Sequence, residues 1–372
     1  MPSPTRPVVT AIDATPLLGV RTGVGASVAG FITAVASDPG VDAVGYGLSA
    51  TAGKSLPGVL PHAARAGRSV PIPATVLLQT WARFDHPTVE LWTGPVDVVH
   101  GTNYVVPPSR RAARLVTVHD LTPVRFPELC SPASLRYPGL IRRALDQGAS
   151  VHTVSQSVAH EIVDHFHVDA TRVHVIHNGL TPLPTPLPRD DAEPPYVLAI
   201  GTVEPRKGLP GLVAAFDRIA DSIPDVHLKI AGPPGWGEDA LNDGIGSARH
   251  ADRIHRVGWV EDRSTLMAGA RLLAYPSLYE GFGLPPLEAM SLGVPVVATT
   301  AGAIPEVVGD AALLVAPRDG AALAEALLVV ATDTTVRARL IAAGTERVPI
   351  FTWQRAGQQL AALYRSLADD HG

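Results

Sequence analysis

A chain of 372 residues is too long for one ordinary hydrophobic core and predicts two domains. Hydrophobic residues at 46% against 17% charged fit a well-buried α/β protein and exclude a disordered one. A net charge of −5 offers no general attraction to nucleic acid, and a single cysteine, Cys130, excludes an internal disulfide and fits a reducing compartment.

Strand-like apolar runs alternate with helical patterns along the whole chain, the sign of parallel sheets covered on both faces. In the first half, strands are predicted near Val8 to Ile12, Val41 to Leu48, Val96 to His100, Leu115 to His119, Val151 to Val154 and Val173 to Ile176. Helices are predicted over Ala26 to Ala36, Ser134 to Gln147 and Ser157 to His165, the last with Ser155 as its cap. The Pro-rich stretch 183–195 favours a stiff extended linker, so the expected domains are 1–182 and 196–351. Strands then follow at Tyr196 to Gly201, Val226 to Ala231, Arg253 to Val257, Leu272 to Tyr275, Val294 to Ala298 and Ala312 to Val315. Helices are expected at Leu209 to Ala220, Gly320 to Ala331 and Thr334 to Gly344. A closing segment, 352–372, reads as an amphipathic helix with Trp353, Leu360, Leu363 and Tyr364 as contacts, free to cross back to the first domain. The chain opens on Met1-Pro-Ser-Pro and runs into a strand without an evident leader, and no apolar run reaches about 18 residues. The expectation is a cytoplasmic protein made of two doubly wound, Rossmann-like domains facing each other across a cleft, with ligands at the carboxyl ends of the strands.

Four loops at such strand ends carry candidate chemistry. Gly23 and Gly25, in Gly19-Val-Arg21-Thr-Gly23-Val-Gly25, resemble a phosphate loop, and a plain tight strand–helix turn explains them equally well. His119 and Asp120 close the strand Leu115 to His119, where the imidazole can bind a sugar hydroxyl or act as a base. His100, Asn103 and Asn178 sit at comparable cleft positions with a weaker signal, Asn178-Gly179 being a turn first. Arg206 and Lys207, in Gly201-Thr-Val-Glu204-Pro-Arg206-Lys207-Gly208, place a planar fork and a point charge where a diphosphate would need neutralising. That lysine is one of three in the chain, with Lys54 and Lys229.

The fourth loop, Tyr275-Pro-Ser-Leu-Tyr-Glu280-Gly-Phe-Gly-Leu-Pro-Pro-Leu-Glu288, is the most specific. Gly281 and Gly283 let backbone approach a ligand, Pro285 and Pro286 suit a first helical turn, and the helix start at Leu284 is an anion site. Glu280 and Glu288 bracket it as acceptor-only carboxylates, suited to the paired hydroxyls of a sugar, so the loop as a whole fits a nucleotide sugar. No cluster has metal-ligand spacing and no Gly-x-Ser-x-Gly elbow occurs, so neither a metal, nor a serine nucleophile, nor any other cofactor is expected.

Together these residues resemble the retaining, nucleotide-sugar-dependent glycosyltransferases of family 4, which have the GT-B fold, and within them the bacterial mannosyltransferase-like branch. The resemblance rests on Val118-His119-Asp120-Leu121, Gly201 to Lys207, Ala231-Gly-Pro-Pro-Gly-Trp236, Pro276 to Met290 and Pro305 to Ala311, and spans nearly the whole chain. It implies that Glu280 and His119 lie near the donor sugar and that Glu288 accepts from the ribose hydroxyls. Backbone N–H groups around Gly281, Phe282, Gly283 and Leu284 would reach the sugar and distal phosphate, and Arg206 and Lys207 would hold the diphosphate. Many relatives carry an arginine where this chain has Thr202, so Arg206 bears more of the phosphate charge here. Many also carry an acidic residue after Asn178-Gly179, where this chain has Leu180-Thr181.

The activity implied is transfer of a hexose, with mannose from GDP-mannose as the first guess, to a hydroxyl of a glycan, glycolipid or small metabolite. Alternatives are an inactive nucleotide-sugar-binding protein and a GT-B epimerase or phosphorylase. The expected partners are a nucleotide-sugar donor and a carbohydrate, glycolipid or small-molecule acceptor. Arg110, Arg111, Arg114, Arg125, Arg136, Arg142 and Arg143 mark an anionic acceptor, a peripheral contact with an anionic membrane, or merely solvated helix faces.

Overall fold

The computed structural model describes residues 6–19, 23–50, 52–187 and 193–371. By its internal contacts the chain divides into two compact units, Met1–Thr181 with Phe351–Gly372, and Pro182–Ile350.

The first unit holds a parallel sheet of β1 (Val8–Asp13), β2 (Val41–Tyr46), β3 (Arg65–Ala66), β4 (Val98–Gly101), β5 (Ala113–Val118), β6 (Ser150–Thr153) and β7 (Val173–Val175). Their order is β3-β2-β1-β4-β5-β6-β7. The six strands expected in this half are all present. The two-residue edge strand β3 is exposed and has no apolar signal to betray it. Ser155 caps the helix Gln156–Phe166 by accepting from the Val158 N–H. The first helix, Gly23–Ala36, begins three residues earlier than its apolar pattern suggested. Gly23 is its first residue and Gly25 is buried in its first turn, so these two glycines do not form a free loop. Val20, Arg21 and Thr22, the middle of the expected phosphate loop, lie outside the described residues. The closing helix Trp353–His371 packs against Gly23–Ala36 and buries Leu360, Leu363 and Tyr364.

The second unit holds β8 (Tyr196–Ile200), β9 (His227–Ala231), β10 (Ile254–Gly258), β11 (Leu272–Tyr275), β12 (Val296–Thr299) and β13 (Ala312–Val315), all parallel, in the order β10-β9-β8-β11-β12-β13. Alternate residues of a strand bury on opposite faces. Val197 and Ala199 of β8, with Leu272 and Ala274 of β11, join one core cluster. Tyr196, Leu198, Leu273 and Tyr275 join the other. Burial on both faces is why these strands read as unbroken apolar runs without polar alternation. Of the Pro-rich stretch, both described ends are tied to this unit. The Leu187 N–H donates to Thr265 Oγ1 at 2.8 Å, and Glu193 pairs with Lys229. Among the described residues no helix is long and apolar enough to cross a membrane.

Candidate active site

In the second unit the strand order reverses between β8 and β11, and such a reversal opens a crevice at the strands' carboxyl ends. The loop leaving β8 forms a single 3-10 turn, Pro205–Lys207, and the loop leaving β11 carries Ser277 and Glu280. Lys207 Nζ pairs with Glu280 Oε1 at 2.5 Å, and Arg206 Nη1 with Glu280 Oε2 at 3.1 Å. Ser277 Oγ donates to Oε1 at 2.8 Å. Lys207 Nζ also donates to the Tyr275 hydroxyl at 3.2 Å and lies 5.1 Å from the centre of that ring. Topology thus brings together three residues singled out from two distant motifs.

Glu280 is 7% exposed. Burial alone would raise its carboxyl, but the Lys207 ammonium and then the Arg206 guanidinium outweigh it and hold the group down to about 2. An ionised carboxylate so fully engaged by cations is a hydroxyl acceptor and a weak base. Arg206 is shared, since its Nε also donates to Glu204 Oε2 at 2.7 Å. Two carboxylates therefore face two cations, and any anionic ligand of Arg206 would compete with Glu204 for it. Glu204→Gln is expected to tighten binding of a nucleoside diphosphate about fivefold, on the order of 1 kcal/mol, by titration calorimetry. An unchanged affinity would mean that Glu204 yields Arg206 without cost.

Two glycines set how closely the loops approach. A Cβ on Gly208, at φ +65°, would stand 2.3 Å from the Pro276 carbonyl oxygen. One on Gly302, at φ +55°, would stand 2.2 Å from the Glu280 carbonyl oxygen, which accepts from the Ala303 N–H at 2.9 Å. Gly302 carried no sequence signal for the site, because the backbone it touches lies on a different loop.

Beyond Glu280 the chain turns through buried Gly281 and Phe282 to Gly283, which starts the helix Leu284–Ser291 without a side-chain cap. Pro285 and Pro286 fall in its first turn as expected, and they lack N–H groups, which narrows the anion site at this end. Among the described residues no backbone carbonyl receives the N–H of Gly283 or Leu284. Inside this helix Glu288 is 6% exposed. Its Oε1 accepts from Arg263 Nη2 at 2.6 Å, while Oε2 is buried and has no hydrogen-bond partner. Burial pushes this carboxyl up, and the Arg263 guanidinium opposes it. A buried acceptor left unpaired is uncommon and points to a ligand donor.

In the first unit the order reverses between β1 and β4. His119, just past β5, is 7% exposed, and its Nε2 donates to the Thr102 carbonyl at 2.8 Å. Thr102 Oγ1 donates to the Asp13 carbonyl, also at 2.8 Å. Burial pushes the His119 imidazole below its ordinary range. The ring is therefore neutral near pH 7, and with its proton on Nε2 it presents Nδ1 as an acceptor. Asp120 accepts from the Tyr104 hydroxyl at 3.0 Å and the Thr122 N–H at 2.9 Å, so it shapes the turn after His119. Asn103 keeps a buried, unpaired Oδ1 and remains a candidate.

Two expectations are corrected here and a third is narrowed. His100 is 1% exposed, with Nδ1 2.7 Å from the Tyr364 hydroxyl and Nε2 2.6 Å from Thr117 Oγ1. It belongs to the core, because both nitrogens are spent under the closing helix. Asn178 is 3% exposed and its Oδ1 accepts from Ser27 Oγ, which commits that oxygen to the first helix. The arginine cluster is narrowed by its partners: Arg114 binds Gln147, Arg125 pairs with Glu161, Arg143 with Asp85, and Arg142 donates to the Phe166 carbonyl. Arg110 and Arg111, with Arg68, line an open cavity of about 1070 Å³. Lys229, over the Tyr196 ring at 4.0 Å, is a structural cation.

Sequence reasoning missed Glu204, Ser277, Arg263 and Gly302 around the second-unit site, and Asp13 in the first unit. Asp13 ends β1, and burial raises its carboxyl to about 6 against the opposing Thr15 bonds. Its position at the end of the opening strand, at the reversal of the sheet, was the available signal. Among the described residues no group of three or more histidine, cysteine or acidic side chains has the geometry to hold a metal ion.

The comparisons with known proteins agree with this architecture. A family model described as Glycosyltransferase Family 4 matches residues 37–182, and one described as Glycosyl transferases group 1 matches residues 194–333. The chain is 33% identical to the O-antigen chain mannosyltransferase B of Escherichia coli over 286 residues, 73% of this chain and 74% of that protein. It superposes on a sucrose-phosphate synthase from Thermosynechococcus elongatus with a TM-score of 0.73 at 22% identity, covering 98% of this chain and 100% of that one. An Anabaena protein solved in complex with UDP-glucose gives a TM-score of 0.69 at 19% identity, covering 96% and 100%. The chain belongs to family 4 of the glycosyltransferases and has the GT-B fold.

Proposed function

We propose that the chain transfers a hexose from a nucleoside diphosphate sugar to an acceptor hydroxyl, with retention at the anomeric carbon and without a metal. The observation that carries this reading is the buried Lys207–Glu280–Arg206 constellation at the sheet reversal, with the unpaired Oε2 of Glu288 one helix turn inside. Arg206 and Lys207 supply fixed positive charge to a leaving diphosphate, and they are pre-oriented by Glu280, Glu204 and Tyr275 before the ligand arrives. Glu280 accepts a donor-sugar hydroxyl, Glu288 a ribose hydroxyl, and His119 offers its neutral Nδ1 to a sugar hydroxyl. Glu280 is held ionised by two cations and suits this electrostatic role better than that of a covalent nucleophile. The mannosyltransferase relative supports mannose as the sugar and GDP as the first base to try, while the UDP-glucose neighbour keeps UDP in the panel. The acceptor is a carbohydrate, a glycolipid or a small metabolite, and Arg68, Arg110 and Arg111 are the candidates for an anionic acceptor or membrane surface.

The test is a thermal-shift panel of GDP-, UDP-, ADP- and dTDP-sugars, with and without EDTA, on the wild type and Glu288→Ala. One nucleotide at about a hundred times its Kd is expected to stabilise the wild type by about 2.7 kcal/mol, unaffected by chelator, and the variant far less. Stabilisation that vanishes with EDTA would overturn the metal-free part. No stabilisation by any donor would overturn the donor class. The anomeric configuration of the product, read by NMR, decides retention.

A further inference from the structure

We propose that Arg263 is a positioning residue of the donor site, which holds Glu288 so that Oε2 stays a charged, unpaired acceptor for a sugar hydroxyl of the nucleotide. The inference rests on the nucleotide-sugar reading above. Arg263 is the first residue of the helix Arg263–Ala268, whose cap Asp262 accepts from the Thr265 N–H and fixes where the helix begins. From there the guanidinium makes one contact with Glu288, Nη2 to Oε1 at 2.6 Å. A bidentate fork would have occupied both carboxylate oxygens. The single contact opposes the effect of burial on the carboxylate and leaves the buried Oε2 without a protein hydrogen-bond partner.

Other charges near Glu288 are otherwise engaged. Arg206 and Lys207 face Glu280, and Arg206 faces Glu204 as well. On the helix Thr334–Arg347, which packs on the Glu288 helix through Gly344 against Met290, Arg347 is turned to the carbonyls of Glu306 and Val307. Arg339 and Glu346 on that helix are exposed. Arg263 is thus the cation that acts on Glu288. Without it, burial would drive Glu288 to bind a proton at a pH where the wild type is ionised, and a protonated carboxyl offers a hydroxyl a weaker, partly blocked acceptor.

The experiment measures affinity for GDP, UDP, ADP and dTDP by calorimetry from pH 5.5 to 8.5, in the wild type, Arg263→Lys, Arg263→Met and the Arg263→Met/Glu288→Gln double variant. The wild type is expected to bind one of these and sets the reference pH profile. Arg263→Met should bind it about tenfold more weakly, with a loss that deepens as pH falls. Arg263→Lys should restore most of the wild-type pH profile, and the double variant should show none of the deepening. A wild type that binds none of the four overturns the nucleotide-sugar reading itself. A wild type that binds while Arg263→Met keeps its affinity and pH profile overturns only the role of Arg263. So does an equal loss at every pH in both Arg263→Met and Arg263→Lys.

Discussion

Lys207→Ala is expected to lower turnover by about two to three orders of magnitude while leaving a folded protein. The ammonium does two things at once. On the proposed function it supplies charge to a leaving diphosphate, and it is the larger of the two cationic influences that keep Glu280 ionised in a buried site. Removing it leaves Glu280 with Arg206 at 3.1 Å and the Ser277 hydroxyl, so the carboxylate is not stranded and collapse of the unit is not expected. Acid stability carries a second signature. Glu280 sits at about 2 in the folded chain against an ordinary 4.5. Its contribution is therefore fully present above pH 4.5 and is lost as pH falls through about 2, amounting to at most about 3 kcal/mol. Lys207→Ala should shrink that contribution and move the acid-unfolding midpoint to higher pH. Circular dichroism across pH 2 to 7, with initial rates at pH 7, checks both. Rates within threefold of wild type, with an unmoved acid midpoint, would remove Lys207 from the catalytic set.

Gly302→Ala is expected to cost about 2–4 kcal/mol of stability, and to depress activity even below its melting range. Its backbone is in the left-handed region, and an added Cβ would run into the carbonyl oxygen of Glu280 itself. That oxygen belongs to main chain, so no rotamer change relieves the clash. Either Gly302 changes conformation, breaking the Ala303 N–H bond to Glu280, or the Glu280 loop retreats and carries its carboxylate away from Lys207. A thermal melt with rates at a temperature where the variant is folded separates the two effects. A melting temperature within a degree of wild type would show that the loop yields freely.

Much of the fold was legible because it rests on local, repeated signals. Strands buried on both faces leave continuous apolar runs, and those runs mark β8 and β11 as clearly as β1 and β5. Boundaries were less legible: Gly23 and Gly25 read as part of a phosphate loop from their spacing, yet both lie in the helix Gly23–Ala36, whose later turns pack on Trp353–His371 at Gly30 and Ala34. The local motifs named Glu280, Glu288, Arg206, Lys207 and His119. They did not show that Lys207 meets Glu280, a contact spanning 73 positions, nor that Arg263 meets Glu288 across 25.

The amino-acid sequence by itself determined the class of fold, the family and the candidates Arg206, Lys207, Glu280 and Glu288, since each is written in short runs of residues. Only the tertiary structure decided which of those groups pair. It placed Glu204 in competition for Arg206, left Oε2 of Glu288 unpaired, and spent His100, Asn178 and most of the arginine cluster inside the first unit. The reason is physical. Pairing depends on which strand ends a sheet order brings side by side, and on what burial then allows each polar atom to meet. Neither quantity is local in the chain.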